Sequence, residues 1–377
     1  MPDAFLSGGI LLLTLLTLLL LMLLIQLLYY WIIFVRLAFH KVKNPETGTR
    51  GVSVVICARD ACHHLKENLP LILAQDHPDF EVVVVNNSSD DDSSYYLSRL
   101  AEEHPNLKIV EIPHNYNFFS GKKFPLSIGI KSAGKEVILL TDADCRPASP
   151  QWLSLMQKAF SKEIKVVLGY GAYQPKSGFL NRLIRFDTAH IGIQYLSYAL
   201  AGSPYMGVGR NMGYLRSLFF QNKGFIAHYN ISSGDDDLFI NQVARKSNTR
   251  VELDPASFTL SEPKESFGRW MTQKRRHLST GKYYRWKHKF LLGTYGLSMI
   301  LFYAFIITLL ALHFNPYYLL GAFLIRLLSQ FIIFYKCLIN LREKGLWYLV
   351  PFMEIILLMI NLYLSISVLF IKPGKWK

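Results

Sequence analysis

The sequence is short of the features that most often identify a chain directly. Its four cysteines, Cys57, Cys62, Cys145 and Cys337, are scattered without paired spacing. They provide neither a disulfide framework nor a thiolate metal cage, which fits a reducing compartment. No G-x-G-x-x-G and no G-x-x-x-x-G-K-[ST] occurs, so neither a dinucleotide fingerprint nor a P-loop is present. His63, His64, His277 and His288 have no partner at metal-ligand spacing, and solvated or interfacial histidines are expected there. The start, Met1-Pro2-Asp3, lacks the basic residues of a cleaved signal peptide.

Hydrophobic residues make up 51% of the 377, an excess concentrated at the two ends. Ile10 to Val35 is almost wholly apolar, with Gln26 the one strongly polar interruption, and is long enough to cross a bilayer. It ends in Tyr29-Tyr30-Trp31, read as an interfacial aromatic belt, followed by Arg36, His40, Lys41 and Lys43. Residues 1–43 are therefore expected to be an uncleaved anchor with its basic end in the cytoplasm. Three further apolar spans follow, about Leu291 to Leu312, Tyr317 to Ile339 and Leu346 to Ile371. Arg326, Gln330, Glu354 and Asn361 lie inside them and should face other helices or a polar path, because such groups are costly in lipid. Four spans put Lys372, Lys375 and Lys377 outside, against the positive-inside tendency. Either Pro351 breaks the last stretch into a re-entrant segment or the basic cytoplasmic face outweighs the rule. The net charge of +14 lies largely beside apolar segments, which favours anionic lipid and phosphorylated substrates over nucleic acid.

After a linker, Asn44 to Arg50, the middle of the chain (44–263) reads as an α/β domain. Val52 to Ile56, Phe80 to Val85 and Leu107 to Ile112 are strands. Leu65 to Ala74 is a helix, and Gly121-Lys122-Lys123 opens another that runs to about Ala133. The alternation predicts a doubly wound, mostly parallel sheet. The apolar run Val137 to Leu140 is a strand buried on both faces, and Asp142-Ala143-Asp144 comes next at its carboxyl edge, where open α/β sheets bind ligands. Two carboxylates there suit Mg²⁺ or Mn²⁺, which would in turn hold a diphosphate. Asp-x-Asp also occurs at Asp90 to Asp92 and Asp235 to Asp237, so a pair of solvated loop aspartates is the plain alternative for Asp142 and Asp144, and a helix start complementing the macrodipole is that for Asp235 to Asp237. Ile164 to Tyr170 is strand-like and Phe179 to Leu200 has helical spacing. Gly207-Val-Gly-Arg-Asn211 is a turn that a ligand or strand can approach closely, and Ser233-Gly-Asp-Asp-Asp237 opens a helix to about Arg245. From Lys264 to Lys289, nine Lys/Arg and one Glu interleave with aromatics (264–290), which reads as an interfacial segment before the C-terminal spans (291–377).

Taken together, these elements resemble the membrane-bound inverting glycosyltransferases of family 2, the group of cellulose, chitin, hyaluronan and poly-N-acetylglucosamine synthases. The likeness covers roughly Val52 to Lys289. It rests on the opening strand through Ala58 and Arg59, on Asn86-Asn87-Ser88-Ser89-Asp90 where the family has Asp-Asp-Gly-Ser, and on Gly121-Lys122. It rests also on Asp142-Ala143-Asp144, Gly234-Asp235-Asp236 and Gln273-Lys-Arg275-Arg276-His277.

The resemblance implies a GT-A-like sheet flanked by transmembrane helices, and inverting transfer of a sugar from a nucleotide-diphosphate sugar, expected to be UDP-linked. Asp144, with Asp142 nearer the nucleotide, would hold the metal. Asp236, or Asp235 if Leu238 anchors the alignment, would be the base. Ala58, Arg59, Asn86, Asn87 and Lys122 would bind the nucleotide sugar, and Gln273, Arg275 and Arg276 would close over the diphosphate. Lys122 facing water at a helix start is an equal alternative. Asn86 and Asn87 replace carboxylates; their amides can pair with a uracil edge but carry no charge. His277 stands where the processive synthases have an acceptor-floor Trp and offers less stacking area, which favours single transfer over polymerisation. The implied acceptor is lipid-linked or a glycan, with membrane lipids as partners and no nucleic acid. The expected location is a bacterial inner membrane with the catalytic domain cytoplasmic. Two other classes fit the same residues: a metal-dependent nucleotidyl or phosphosugar transferase, and a non-catalytic membrane scaffold.

Overall fold

The structure is a computed structural model that describes residues 2–41, 48–113, 121–231 and 233–370. Lys43, most of the expected linker and the tail lysines Lys372, Lys375 and Lys377 lie outside the described residues. The chain divides into two compact units: Met1–His40 with Arg285–Ile360, and Lys41–Tyr284 with Asn361–Lys377. It opens on α1 (Pro2–Leu28), which passes through a π-helical turn, Tyr29–Phe34, into α2 (Val35–Ala38).

The second unit is built on β1 (Val52–Ala58), α3 (Cys62–Leu73), β2 (Phe80–Asn87), α4 (Ser93–Glu103), β3 (Leu107–Ile112), α5 (Lys123–Ser132) and β4 (Val137–Asp142). Every residue of β1 is buried, as its unbroken Val/Ile run requires of a central strand. Then come β5 (Cys145–Pro147), α6 (Trp152–Lys158), β6 (Val166–Leu168), β7 (Gly171–Tyr173), α7 (Phe179–Leu200), β8 (Met212–Leu215) and α8 (Arg216–Gln221). The unit continues with α9 (Asp237–Val243), β9 (Thr249–Val251), β10 (Thr259–Ser261) and α10 (Phe267–Leu278).

The main sheet has the order β3-β2-β1-β4-β8-β6-β9. β3, β2, β1 and β4 are parallel, whereas β8 runs antiparallel to both β4 and β6. A small sheet, β5-β10-β7, stands beyond the end of β4. The mostly parallel sheet agrees with the sequence reading; the reversal at β8, the small sheet and α4 are additions. The glycine turn at 207–211 leads directly into β8, which lies between β4 and β6. Helix α5 seats closely on the sheet at Gly129, where a Cβ would lie 2.6 Å from Val55 Cγ1 and 2.8 Å from Val85 Cγ2. That approach sets the position of the Lys122 and Lys123 end of the helix.

The chain ends with α11 (Trp286–Ala311), α12 (Pro316–Asn340) and α13 (Val350–Phe370). Four helical stretches, Gly9–Ala38, Trp286–Ala311, Pro316–Asn340 and Lys344–Ser367, are long and apolar enough to cross a bilayer. Pro351 sits in the first turn of an unbroken α13, where its missing N–H costs nothing, so it starts this helix rather than breaking it. Leu19, Met22 and Leu23 pack with Phe302, Leu309 and Leu319. Arg326, Gln330 and Glu354 meet one another inside the spans, whereas Asn361 Oδ1 has no hydrogen-bond partner among the described residues. Arg326 forks onto Glu354 at 3.0 and 2.9 Å, its Nε donates to Gln26 Oε1 at 2.7 Å, and its Nη1 donates to Tyr303 at 3.1 Å. An ion pair so satisfied avoids the cost of a lone charge in hydrocarbon. Of the three residues read as an aromatic belt, Trp31 is exposed. Tyr29 and Tyr30 are buried, Tyr29 donating to the Leu291 carbonyl at 2.6 Å, because the π-helical turn rotates them toward the other helices.

Deleting residues 1–43 should leave the protein in the membrane fraction after alkaline extraction, since three spans remain. Recovery of soluble protein would show that the later spans are not membrane-crossing.

Candidate active site

Strand β4 delivers Asp142 to the carboxyl edge of the sheet, and the chain turns there through Asp144 into β5. The turn is fixed from α3, whose Asn68 amide donates to the Ala143 carbonyl at 3.0 Å. Asp142 forms an ion pair with the buried Lys122 at the head of α5. Burial pushes the Asp142 carboxyl up, but Lys122 overrides it, with Arg210 and Arg276 adding to the effect, and holds Asp142 below the usual range. Asp144 goes the other way, raised by burial and by the charge of Asp142. Carboxylate oxygens of both, with Cys145 Sγ, lie within 4.8 Å of one another. A carboxylate raised by burial beside an ionised one is what a hard divalent cation relieves, so this donor set fits Mg²⁺ or Mn²⁺. The competing triplet at Asp90 to Asp92 is exposed, and Asp91 is spent on the backbone N–H groups of Cys62 and Ser93 at 2.8 and 3.0 Å.

The acidic loop before α9 faces the same place. Gly234, with φ +95°, makes the turn that presents Asp235. Asp235 and Asp142 both act on Lys122, and burial with the neighbouring Asp236 charge raises Asp235 to about 6. The three aspartates have different employment. Asp236 caps α9 through Oδ1 to the Asp237 N–H at 2.8 Å, and its Oδ2 accepts from Gly209 N at 2.9 Å. Asp237 is buried and accepts from Thr280 Oγ1, from Tyr284 at 2.7 Å and from the Leu238 N–H at 2.7 Å. Burial and Asp236 raise it to about 7. Asp235 makes no such side-chain bonds among the described residues.

On the nucleotide side, Ala58 ends β1 and Arg59 is partly exposed beside Asp60, 3.9 Å away. Asn86 is fully buried and its amide is already used. Nδ2 donates to Ser94 Oγ at 2.7 Å and to Glu111 at 2.9 Å, and Oδ1 accepts from Ser89 at 2.5 Å. Asn87 is buried too, but its Oδ1 has no hydrogen-bond partner among the described residues. In α10, capped by Ser266, the expected cluster separates. Gln273 donates to the Tyr173 hydroxyl at 3.3 Å, and Arg275 Nε donates to Ser367 at 3.1 Å. Arg276 acts on Asp142, with its Nε buried and unpartnered among the described residues. His277 is exposed at the end of the helix.

The basic segment is thus more than a charged face. Lys274 is buried against Asp187 of α7 at 2.5 Å, and Trp270 packs beside it. Breaking such a buried pair by removing one partner typically costs about 3–5 kcal/mol. Asp187 stands in the sequence as a lone carboxylate among Ile184, Phe186 and Ala189, which is a signal that it needs a cation. Lys123 is the other residue whose role the sequence reading did not assign. Its ammonium donates to the carbonyls of His228, Ile231 and Ser233 at 2.6, 2.7 and 2.7 Å, fastening the segment that leads into Gly234 and Asp235. Burial lowers its pKa to about 8, against the opposing charges of Asp235, Asp237 and Asp236. The doubled lysine after Gly121 is the available sign. Lys123→Met should lower kcat ~10-fold or more, because the loop aspartate loses its placement. Nucleoside diphosphate affinity should be unchanged, and calorimetry beside steady-state kinetics separates the two.

A mostly parallel α/β sheet that ends a buried strand in Asp-x-Asp at its carboxyl edge is a GT-A-like fold. Residues 53–221 match the family model described as Glycosyl transferase family 2. Among solved structures it is similar to the mannosyltransferase PcManGT from Pyrobaculum calidifontis in complex with GDP-Man and Mn²⁺. The TM-score is 0.61 at 18% identity, over 95% of this chain and 98% of that one. It is also similar to TarS from S. aureus, with TM-score 0.43 and 18% identity over 65% of this chain and 42% of that one. For TarS 1–349 in complex with UDP the values are 0.42 and 16%, over 66% and 70%. At these identities the likeness is one of fold. No curated protein matches the chain.

Proposed function

We propose that the chain transfers a single sugar from a nucleotide-diphosphate donor to an acceptor hydroxyl at the cytoplasmic face of a membrane, with inversion at the anomeric carbon. The observation that supports this reading is the ion pair of Asp142 with Lys122, a lysine near enough to Asp235 for the two charges to act on one another. The acceptor oxygen attacks the anomeric carbon from the side opposite the diphosphate. Asp235 takes the hydroxyl proton as the new bond forms, and the bond to the diphosphate oxygen breaks. Asp235 is preferred to Asp236 because both oxygens of Asp236 already accept backbone N–H groups.

Asp144 and Asp142 would hold Mg²⁺ or Mn²⁺, which supplies charge neutralisation for the leaving diphosphate when bound. Lys122 keeps Asp142 ionised, and Arg276 offers its unpartnered Nε to the phosphate side. Asn87, with a free carbonyl oxygen, suits the base better than Asn86, whose amide is spent. The PcManGT complex with GDP-Man and Mn²⁺ supports the donor class and the metal. Four apolar helices and the basic segment favour a lipid-linked or membrane-proximal acceptor over a channelled polymer.

Purified protein with Mn²⁺ and a panel of UDP- and GDP-sugars tests the reading. Release of UDP or GDP supports it. Release of pyrophosphate would assign the chain to nucleotidyl transfer instead, and no turnover on any donor would favour a scaffold.

A further inference from the structure

The buried cations of this domain are accounted for by its own groups. Lys122 has Asp142, Lys274 has Asp187, and Lys123 has three carbonyl oxygens. Arg210, partly buried, has no carboxylate partner and only two long hydrogen bonds among the described residues. It stands in the turn before β8, and its backbone is unusually well anchored. Its carbonyl accepts from Thr141 Oγ1 and Thr259 Oγ1, both at 3.0 Å. The peptide ahead is held by Asp236 through Gly209 N. The next residue, Asn211, is fully buried and bonded to Trp152 Nε1 at 3.0 Å and to the Tyr170 and Ser257 carbonyls at 3.0 and 2.8 Å.

The guanidinium is just as firmly placed. It lies over the Tyr173 ring, 4.4 Å from the centroid, and Nη1 makes two long bonds, to the Ala172 carbonyl at 3.4 Å and to Ser261 Oγ at 3.3 Å. Nε and Nη2 have no hydrogen-bond partner among the described residues, and none of the described carboxylates forms an ion pair with it. Yet Arg210 is close enough to Asp142 and Asp144 for the charges to act on one another. A guanidinium cannot escape by losing its proton, so a partly buried one without a counter-ion is costly unless a ligand supplies the anion.

We infer that Arg210 is a phosphate-binding residue of this site, its open Nε and Nη2 fork receiving a phosphate group of a substrate beside the Asp142–Asp144 pair. The inference rests on the sugar-transfer reading and extends it. The fork geometry suits two phosphate oxygens at once, which a lysine would not reproduce. The phosphate can come from the donor diphosphate or from an acceptor that itself carries a phosphate.

Equilibrium binding to the full chain in detergent with Mn²⁺ distinguishes these sources. The probes are UDP and GDP, uridine and guanosine, and dodecyl phosphate against dodecanol. Arg210→Met should weaken the nucleoside diphosphate at least ~10-fold while leaving the nucleoside unchanged, and Arg210→Lys should recover only part of the loss. Loss confined to dodecyl phosphate would keep the assignment and name the acceptor as the source. Wild-type affinity for every phosphate probe in folded Arg210→Met or Arg210→Lys protein would overturn it. If wild-type protein binds neither nucleoside diphosphate, the sugar-transfer reading itself falls, and this inference with it.

Discussion

Asp235→Asn is expected to lower the transfer rate by ~100-fold or more, the usual consequence of losing a general base, with donor affinity little changed. Asp236→Asn should behave differently. An amide oxygen still accepts one of the two backbone N–H groups that Asp236 now serves, so the loss falls on the α9 cap and the Gly209 turn. A cap is typically worth about 0.5–2 kcal/mol, so a few-fold fall in rate with a lower melting temperature is expected. Should Asp236→Asn abolish turnover while Asp235→Asn does not, the two roles are exchanged. The pH profile carries the same assignment. Asp235 must be unprotonated to act, and burial with Asp236 raises it to about 6. Activity should therefore be full above that value and fall as pH drops through it. In Asp235→Asn the residual rate should lose this acid limb.

Asp144→Asn is the second large effect, again ~100-fold or more in kcat, as expected for removing a metal ligand at a leaving diphosphate. The physical asymmetry of the pair explains why Asp144 is the sharper test. Asp142 already has a cation in Lys122 and stays ionised without help. Asp144 has no such partner, and burial and Asp142 drive it toward the protonated form, so a divalent cation has most to gain there. Titration of activity with Mn²⁺ should show a raised metal requirement in Asp144→Asn. A variant with unaltered rate and metal dependence would remove Asp144 from the site.

Much of this arrangement is readable in the sequence because it is local. The Val137 to Leu140 run dictates a buried strand, and the residues leaving the carboxyl end of a buried parallel strand fall at the ligand edge. Phe179–Leu200 and the four apolar spans carry their periodicity or hydropathy within themselves. The features that escape such a reading depend on partners far apart in the chain. Helix α4 is mostly polar, with Leu97 and Ser93 its buried residues, so its stripe is too thin to register. The antiparallel entry of β8 is set by packing between β4 and β6. Asp235, Asp236 and Asp237 look alike as letters and are told apart only by Lys122, Gly209 and Thr280. Tyr29 and Tyr30 have the composition of a membrane belt, but a helical turn of altered pitch carries them inward. Arg210 belongs to a turn conspicuous for its glycines, and nothing local marks the charge beside them.

Asp142, Asp144 and Asp235 acting on one sugar in one step makes a stereochemical demand. A ¹H NMR time course of the wild-type protein with an α-linked donor that it accepts should show a β-linked product appearing in step with the released nucleoside diphosphate. A product that keeps the donor's α configuration would mean that no single displacement occurs between these carboxylates, and Asp235 would not be the base of an inverting transfer.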